Sequence, residues 1–479
     1  MPVNKAMTQP IASFENLPSA ADVIVVGAGL AGYCAALEAA NSGARVMLLE
    51  KQAAAGGSSV LSAGFMAFAG TPIQAAAGIH DDAALLFEDL RAVGGDEAGQ
   101  ALLEVYVHEQ RALYIWLVER GVKFQALERS AGQSVARSHQ TDPQGLLDAL
   151  ARQLAGYANA RIITQAALHS LVKLEVDGPI TGVTVVVDGE TRTITCRGGV
   201  VLASGGFSRS ESLLNLFAPA QVSAVRIGGA GNLGDGLRQA WKLGAGLRDM
   251  GQIRGTFGTH PACTSEKHEI LLAYYLGAII VNQQGKRFVD ESRPYKQLGD
   301  ACLQQSNCLA FQIFDQQVMA QSAPGVALFD FQQALDRGLL KRADTLDELA
   351  HGCRLDAAVL RATVERYNAG IDAGNDEFGR EGLCHNAGVR THFNQAPFYA
   401  YLSTTALLAT YCGLHIDTQT RVINVDGEVI TGLYAAGEVA GGFHGRSYMT
   451  GTALGKAAIF GRIAGRNAAK RGLGALGVT

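Results

Sequence analysis

An α/β fold is predicted for this chain, and three observations predict it. The run Asp22-Val-Ile-Val-Val-Gly-Ala-Gly-Leu-Ala-Gly32 sets an apolar strand directly before a G-x-G-x-x-G turn. A second apolar strand, residues 45–49, closes on the carboxylate Glu50. Residues from about 20 to 255 alternate strand-like and helix-like patterns, as a doubly wound sheet would. The expected architecture is a Rossmann-like dinucleotide-binding domain with a parallel sheet and a β-meander, plus a second, α+β domain inserted into it.

Each element has a reason. Residues 23–26 are all apolar, as a strand buried on both faces requires. Gly27 permits the tight turn, Gly29 lets a pyrophosphate approach the backbone, and Gly32 lets helix and strand pack closely. The pyrophosphate would sit on the N-terminus of a helix running through residues 33–41. Glu50 is placed to hold ribose hydroxyls. A bare G-x-G-x-x-G is weak evidence; strand, glycines, helix, strand and acid in this order are specific. Lys51 follows, then Gly56-Gly-Ser-Ser59 and Ser62-Ala-Gly64, a loop rich in backbone N–H groups for phosphate and for a flavin ring. Residues 183–187 and 191–195, joined through Asp188-Gly189, read as a hairpin. The segment 257–394 interrupts these motifs with a hairpin at 277–291 and helical stretches at 345–350 and 357–368. The expected division is a flexible tail over 1–20, one domain over 21–256 and 395–479, and the insert over 257–394. A helix over 453–470 ends the pattern.

Composition excludes several classes. The 479 residues are 48% hydrophobic, enough for two or three domains with large cores. Net charge is −4 with no long basic run, which argues against a nucleic-acid partner. No apolar run reaches the ~18–20 residues of a membrane span. The first twenty residues lack a charged-then-apolar signal pattern, so a cytoplasmic location is expected. The eight cysteines form no C-x-x-C, which argues against zinc, iron–sulfur and haem attachment, and no metal site is expected.

The run from Asp22 to Gly64 resembles the amino end of the fumarate reductase/succinate dehydrogenase flavoproteins, which bind FAD. The resemblance recurs at Val200-Val-Leu-Ala-Ser-Gly-Gly206, Gly234-Asp-Gly236, the stretch from Gly277 to Glu291, Tyr367-Asn368 with Gly374, Asp376 and Phe378, and Gly432-Leu-Tyr-Ala-Ala-Gly-Glu438. It implies an FAD-binding domain whose insert is a cap over the flavin, and an oxidoreductase acting on CH–CH groups. The cofactor residues it implies are Gly27, Ala28, Gly29, Leu30, Ala31, Gly32, Glu50, Lys51, Gly56, Gly57, Ser58, Ser59, Ser62, Ala63, Gly64, Ala167, Ala203, Ser204, Gly205, Asp235, Gly437, Glu438, Gly451, Ala453 and Leu454. Covalent relatives carry a histidine within 57–64; this chain has none there, so non-covalent FAD is expected.

Two departures bear on the substrate. The family's His-His-Thr-Met-Gly-Gly segment is Leu408-Ala-Thr-Tyr-Cys-Gly413 here, which puts Ala409 where a clamp histidine stands. Its Asn-Arg-Leu-Gly-Gly-Asn segment is Ser447-Tyr-Met-Thr-Gly-Thr452, which puts Tyr448 in place of a substrate-binding arginine; Arg446 is two residues off. The replacement resembles the Tyr-x-Ser-Gly segment of 3-ketosteroid Δ4-(5α)-dehydrogenases, with Thr450 for the serine and Tyr295 at the place of their other tyrosine. Neutral hydroxyls suit a ketone. One donates to the carbonyl oxygen and a second takes the proton of the neighbouring C–H, while flavin N5 takes hydride. The expected catalytic set is therefore Tyr448, Tyr295, Thr450, His260 and Arg293, the last able to bind a carboxylate substituent. His444 and His139 read as supporting residues. The expected substrate is a ketosteroid or another saturated ketone or enone, with an external electron acceptor. Two alternatives stand beside this: an enzyme for a small carboxylate such as fumarate or tricarballylate, and a flavin-binding protein without turnover.

Overall fold

The computed structural model describes residues 17–130, 132–253, 255–264, 269–326, 328–383 and 388–474. The first sixteen residues of the expected tail lie outside this set. The chain divides into two compact units. One comprises Met1–Leu213, Gly228–Ile253 and Ala409–Thr479; the other comprises Leu214–Ile227 and Arg254–Leu408. The second unit thus takes in a stretch around residue 220 that the sequence pattern had left with the first.

In the first unit, β1 (Ala20–Val26) leads into α1 (Leu30–Asn41), and β2 (Val46–Leu49) returns beside β1. Across the sheet the order is Arg421–Ile423, Val429–Ala435, Glu190–Leu202, β1, β2, Ala160–Ile163. β1 pairs in parallel on both sides, Val23 with Val46 and Val26 with Leu202. Val23, Ile24 and Val25 are fully buried, as their unbroken apolar run requires. Strand order reverses at β1: its successor lies on one side and the late strands on the other, which is the switch point where such sheets open a crevice at their carboxyl ends.

The hairpin forms as read. Ile180–Val187 pairs antiparallel with Glu190–Leu202. Asp188 and Gly189 take φ of 51° and 81°, the two positive values that a type I′ turn demands. The return arm does not stop at residue 195. It runs on to Leu202, so the meander arm and the late dinucleotide-type strand are one element. Gly199, at φ 122°, lies within 2.3 Å of Gly432 O at its would-be Cβ, which is why a glycine pair interrupts the apolar pattern there. The last helix, Thr452–Gly474, packs on α1 through Gly461 and Gly465, where a Cβ would fall 2.4 Å from Ala31 O and 2.1 Å from Ala35 O.

The second unit is built on Phe398–Leu407, which pairs with Ala310–Phe314, Thr256–Thr259, Leu340–Ala343 and Val225–Arg226. Ile279–Asn282 adds to Ala310–Phe314. Its expected hairpin partner is not a full strand; it meets the sheet only at a Val281–Arg287 bridge. The reason is the fate of Arg287, whose side chain turns into a buried ionic network. Arg287 bonds Glu291 at 2.6 Å and Asp376 at 2.8 Å, Arg380 reaches Glu291 at 3.3 Å, and Arg390 reaches Asp376 at 3.2 Å. The Arg287 guanidinium also lies over the rings of Tyr367 and Phe378. The helices Leu346–Cys353 and Ala357–Asp372 start where Thr345 and Asp356 cap them and run longer than the sequence pattern had them.

Candidate functional site

At the carboxyl end of β1 the glycines have separate duties. A Cβ on Gly27 (φ 104°) would lie 2.3 Å from Ala203 O, on the neighbouring strand end. A Cβ on Gly32 would lie 1.8 Å from Gly27 O, so α1 closes directly on the turn. Gly29 is the N-cap of α1 and carries no capping side chain; Ser59 Oγ accepts the Leu30 N–H at 3.1 Å. Ala28 N–H donates to Glu50 at 2.9 Å and Gln52 N–H to its other oxygen at 2.8 Å, which fixes the carboxylate beside the turn.

The Gly56–Ser59 loop is tied to two distant segments of the same unit. Ser58 Oγ accepts from Gly229 N–H at 3.1 Å and Asn232 Nδ2 at 3.0 Å. Lys51 pairs with Asp235 at 2.5 Å. Asn232 also donates to Glu438 at 3.1 Å, and Thr410 N–H donates to the same carboxylate at 2.9 Å. Burial raises the Glu438 carboxyl above its ordinary range despite these bonds. Ser62 donates to Ser59 O, Ala63 O accepts from Gln140, and Gly64 (φ 76°) lies against Thr141 O. Ala167 starts the strand Ala167–Lys173, while Ala453 and Leu454 stand in the first turn of the last helix. Gly205 and Gly437 also take positive φ. Ser204 Oγ is buried and has no hydrogen-bond partner among the described residues. This orphaned hydroxyl, the glycine N-cap of α1 and the seated Glu50 fit a dinucleotide. Around the β1 turn the structure ties together Gly27, Gly32, Glu50, Lys51, Ser58, Ser59, Asp235 and Glu438 through these contacts.

Tyr448, Thr450 and His444 lie in the same unit. Tyr448 Oη accepts the Gly451 N–H at 3.1 Å. Burial pushes its phenol up to about 12, opposed by the N–H groups of Gly451 and Ala453. Its ring stacks on Tyr411 at 4.6 Å, and the buried His444 imidazole stands edge-on to both. Thr450 O accepts from Gln133 at 2.9 Å. Arg446 is exposed and donates to Ala92 O at 3.4 Å. Ala409 is buried. His139 bonds Thr71 Oγ1 and Arg137 O, both at 2.8 Å, with burial lowering its pKa, as a structural histidine would.

Tyr295, Arg293 and His260 lie in the second unit. Tyr295 opens the helix Tyr295–Leu303. Arg293 is 54% exposed and faces Asp290 at 3.7 Å. His260 Nδ1 accepts from Ala262 N–H at 3.1 Å, and burial lowers its pKa. Sequence reasoning passed over Lys296, next to Tyr295. Its ammonium is buried, donates to Thr256 Oγ1 at 3.2 Å and lies 5.6 Å from the Tyr295 ring. Burial lowers its pKa to about 7, with Asp300 opposing. The lysine stands in the first turn of its helix, where the dipole also disfavours a cation. Tyr411 and Asn232 were passed over too; Tyr411 stands inside the Leu408–Gly413 segment, where only Ala409 was singled out.

A family model described as an FAD binding domain matches residues 22–454. The chain belongs to the fumarate reductase/succinate dehydrogenase flavoprotein family. The chain is 30% identical over 98% of its length to the NADH:fumarate oxidoreductase of Klebsiella pneumoniae, and spans half of that relative. Among solved structures, an open flavocytochrome c3 fumarate reductase is similar at TM-score 0.81 with 29% identity, covering 95% of this chain and 79% of that one. The 3-ketosteroid Δ4-(5α)-dehydrogenase of Rhodococcus jostii, in complex with 4-androstene-3,17-dione, is similar at TM-score 0.76 with 25% identity, covering 96% of this chain and 99% of that one. The family is one of FAD-dependent oxidoreductases acting on carbon–carbon bonds, and FAD is its cofactor. No helix among the described residues is long and apolar enough to cross a membrane.

Proposed function

We propose that this flavoprotein desaturates the carbon–carbon bond next to a ketone, or reduces it in reverse, with a 3-ketosteroid as substrate. The observation that carries the reading is a neutral phenol where the family places an arginine: Tyr448, held at its hydroxyl by Gly451 N–H and with its pKa raised to about 12. A phenol with that pKa keeps its proton at pH 7. Arg446, two residues from Tyr448 in sequence, offers no replacement clamp, since it turns outward to Ala92 O. Similarity to the Rhodococcus ketosteroid dehydrogenase over nearly all of that chain supports the same reading.

In this mechanism the residues named from sequence would hold FAD, and the bound flavin would supply the hydride acceptor for the substrate carbon β to the ketone. Tyr448 donates to the ketone oxygen, so the adjacent C–H becomes more acidic. The proton leaves to a second hydroxyl, ionised or relaying it to water, and Tyr295 and Thr450 are the residues assigned to that role. Hydride and proton together account for the desaturation, and an external acceptor removes the electrons. His260 and Arg293 are assigned to substrate positioning, and the second unit to the cap. A carboxylate-reducing enzyme is the second reading; its support is the identity to NADH:fumarate oxidoreductase.

The test is anaerobic bleaching of the yellow FAD band by a panel of a 3-keto-5α-steroid, a 3-keto-4-ene steroid, succinate and tricarballylate. Rapid bleaching by a saturated ketosteroid is expected. Bleaching by a carboxylate alone would overturn the tyrosine mechanism, and no bleaching by any saturated compound would favour a flavoprotein without this turnover.

A further inference from the structure

Tyr411 stands in the Leu408–Gly413 segment but has no role in the proposed mechanism, and its backbone is unusual. Its φ is 55°, in the left-handed region that a bulky side chain rarely occupies. Such a conformation persists only where the surroundings over-determine it. They do here. Thr410, one residue before, is fixed by its N–H and hydroxyl bonds to the buried Glu438 at 2.9 and 3.3 Å. Gly413, two residues after, is pressed so closely to Val439 O that a Cβ would lie 2.0 Å away.

The strained backbone delivers the ring to one place. Tyr411 stacks on Tyr448 with centroids 4.6 Å apart and planes 19° from parallel. His444 closes the group, edge-on to Tyr411 at 5.1 Å and to Tyr448 at 5.4 Å. The opposite side of Tyr448 is anchored equally firmly. Gly451, whose N–H meets its hydroxyl, has φ 88°, and a Cβ there would lie 2.8 Å from Ala67 N. Its carbonyl accepts the Ala67 N–H at 3.0 Å, so the loop is bonded to β3 (Phe65–Ala67). A tyrosine has two soft torsions. The Gly451 bond fixes the hydroxyl at one end, and without a flat neighbour the ring plane would remain free to turn about that point.

We propose that Tyr411 is a positioning residue for Tyr448: its ring, delivered by a left-handed backbone, sets the plane and direction of the phenol. This rests on the role given to Tyr448 above. The effect is on orientation, so it belongs to the chemical step more than to substrate binding.

The test compares Tyr411→Gly, Tyr411→Leu and Tyr411→Phe in the FAD-loaded protein. Glycine suits the positive φ but removes the ring, leucine keeps apolar bulk without a flat face, and phenylalanine keeps the face. The expected result is a flavin reduction rate by a saturated 3-ketosteroid at least tenfold lower in the glycine and leucine variants. Substrate Kd should stay within threefold, FAD should stay bound, and the phenylalanine variant should recover the parent rate. Parent-like rates without the ring would overturn the proposal, as would losses confined to Kd or to FAD content. The orientation is also read without substrate, in protein labelled with 3-fluorotyrosine, with the Tyr448 signal assigned by Tyr448→Phe. One narrow 19F resonance is expected in the parent and the phenylalanine variant, and a broadened or doubled one in the other two. A single narrow resonance in all would overturn it. Failure of every ketone to bleach the parent, with the 19F result as expected, would overturn the substrate reading alone.

Discussion

Gly27→Ala separates the two jobs a turn glycine can have: giving the backbone freedom and giving a neighbour room. The added Cβ would sit 2.3 Å from Ala203 O and 2.7 Å from Ala203 C, both backbone atoms that cannot rotate away. The two strand ends are also bonded, Ala203 N–H to Val26 O at 2.8 Å, so relief requires parting them. Overpacking of this kind costs about 1–3 kcal/mol. Forcing an L-residue to a positive φ (104° here) adds about 1–2 kcal/mol. The expected cost is about 2–5 kcal/mol. With an unfolding entropy near 2.1 cal/mol/K per residue, a unit of about 300 residues would lose roughly 3–8 °C in Tm. The control is Gly57→Ala. Its φ is 52° but no atom lies within 4 Å of the would-be Cβ, so only the conformational cost remains. Differential scanning calorimetry of both variants, with FAD content from the ratio of 450 to 280 nm absorbance, makes the comparison. Gly27→Ala should lose stability and FAD, and Gly57→Ala should lose about 1 kcal/mol. Equal, small effects at the two positions would refute the close approach of β1 to the strand beside it.

Three further outcomes follow from named contacts. Tyr448→Phe should slow anaerobic flavin reduction by a ketosteroid by orders of magnitude with FAD still bound; a parent-like rate in stopped flow would remove this hydroxyl from the mechanism. Lys296, lowered from 10.5 to about 7 in the fold, takes up its proton more readily when unfolded, so folding stability should rise as pH climbs from 7 towards 10.5. Between pH 7 and 8.5, below the thiol range, this amounts to about 2 kcal/mol. Urea unfolding of Lys296→Met should show that rise diminished, and an unchanged slope would show the ammonium to be solvated. Glu291→Gln should cost about 3–5 kcal/mol, because Arg287 and Arg380 lose a buried counter-charge; an unaltered urea midpoint would count against the network.

Much of the first unit was legible because its signals are local. The apolar run before Gly27 has one outcome as a doubly buried strand, and Asp188-Gly189 has one good turn. Element ends were less legible. The strand Glu190–Leu202 hides a continuation behind Cys196-Arg-Gly-Gly199, because Gly199 answers to Gly432 and Gly198 to Ala468, each more than two hundred residues away. The short return arm after Ile279–Asn282 was unreadable for a related reason: Arg287 is claimed by Asp376, a partner no local pattern reveals. Tyr448 and Tyr295 were named as candidates from their place in motifs. Lys296 and Tyr411 were not, because burial of an ammonium and a left-handed tyrosine depend on what packs around them.

The whereabouts of the buried cations bears on which substrate such a protein can hold. A carboxylate substrate needs a positive group that is desolvated and not already matched. Arg137 is matched by Asp81 and Asp89, and Arg287 and Arg380 by Glu291 and Asp376. Lys456 donates to Ala440 O at 2.5 Å, and burial lowers its pKa to about 8. Lys296 has a pKa near 7, so a neutral amine is a large part of its population at that pH. Among the described residues, the buried arginines sit in ion pairs and the buried lysines are pushed towards neutrality, which leaves little fixed positive charge to set against a dicarboxylate. The Tyr448 phenol, by contrast, is kept protonated by its burial. Low local polarity weakens an ammonium clamp and preserves a phenol donor, and a phenol donor recognises a ketone oxygen by hydrogen bonding alone.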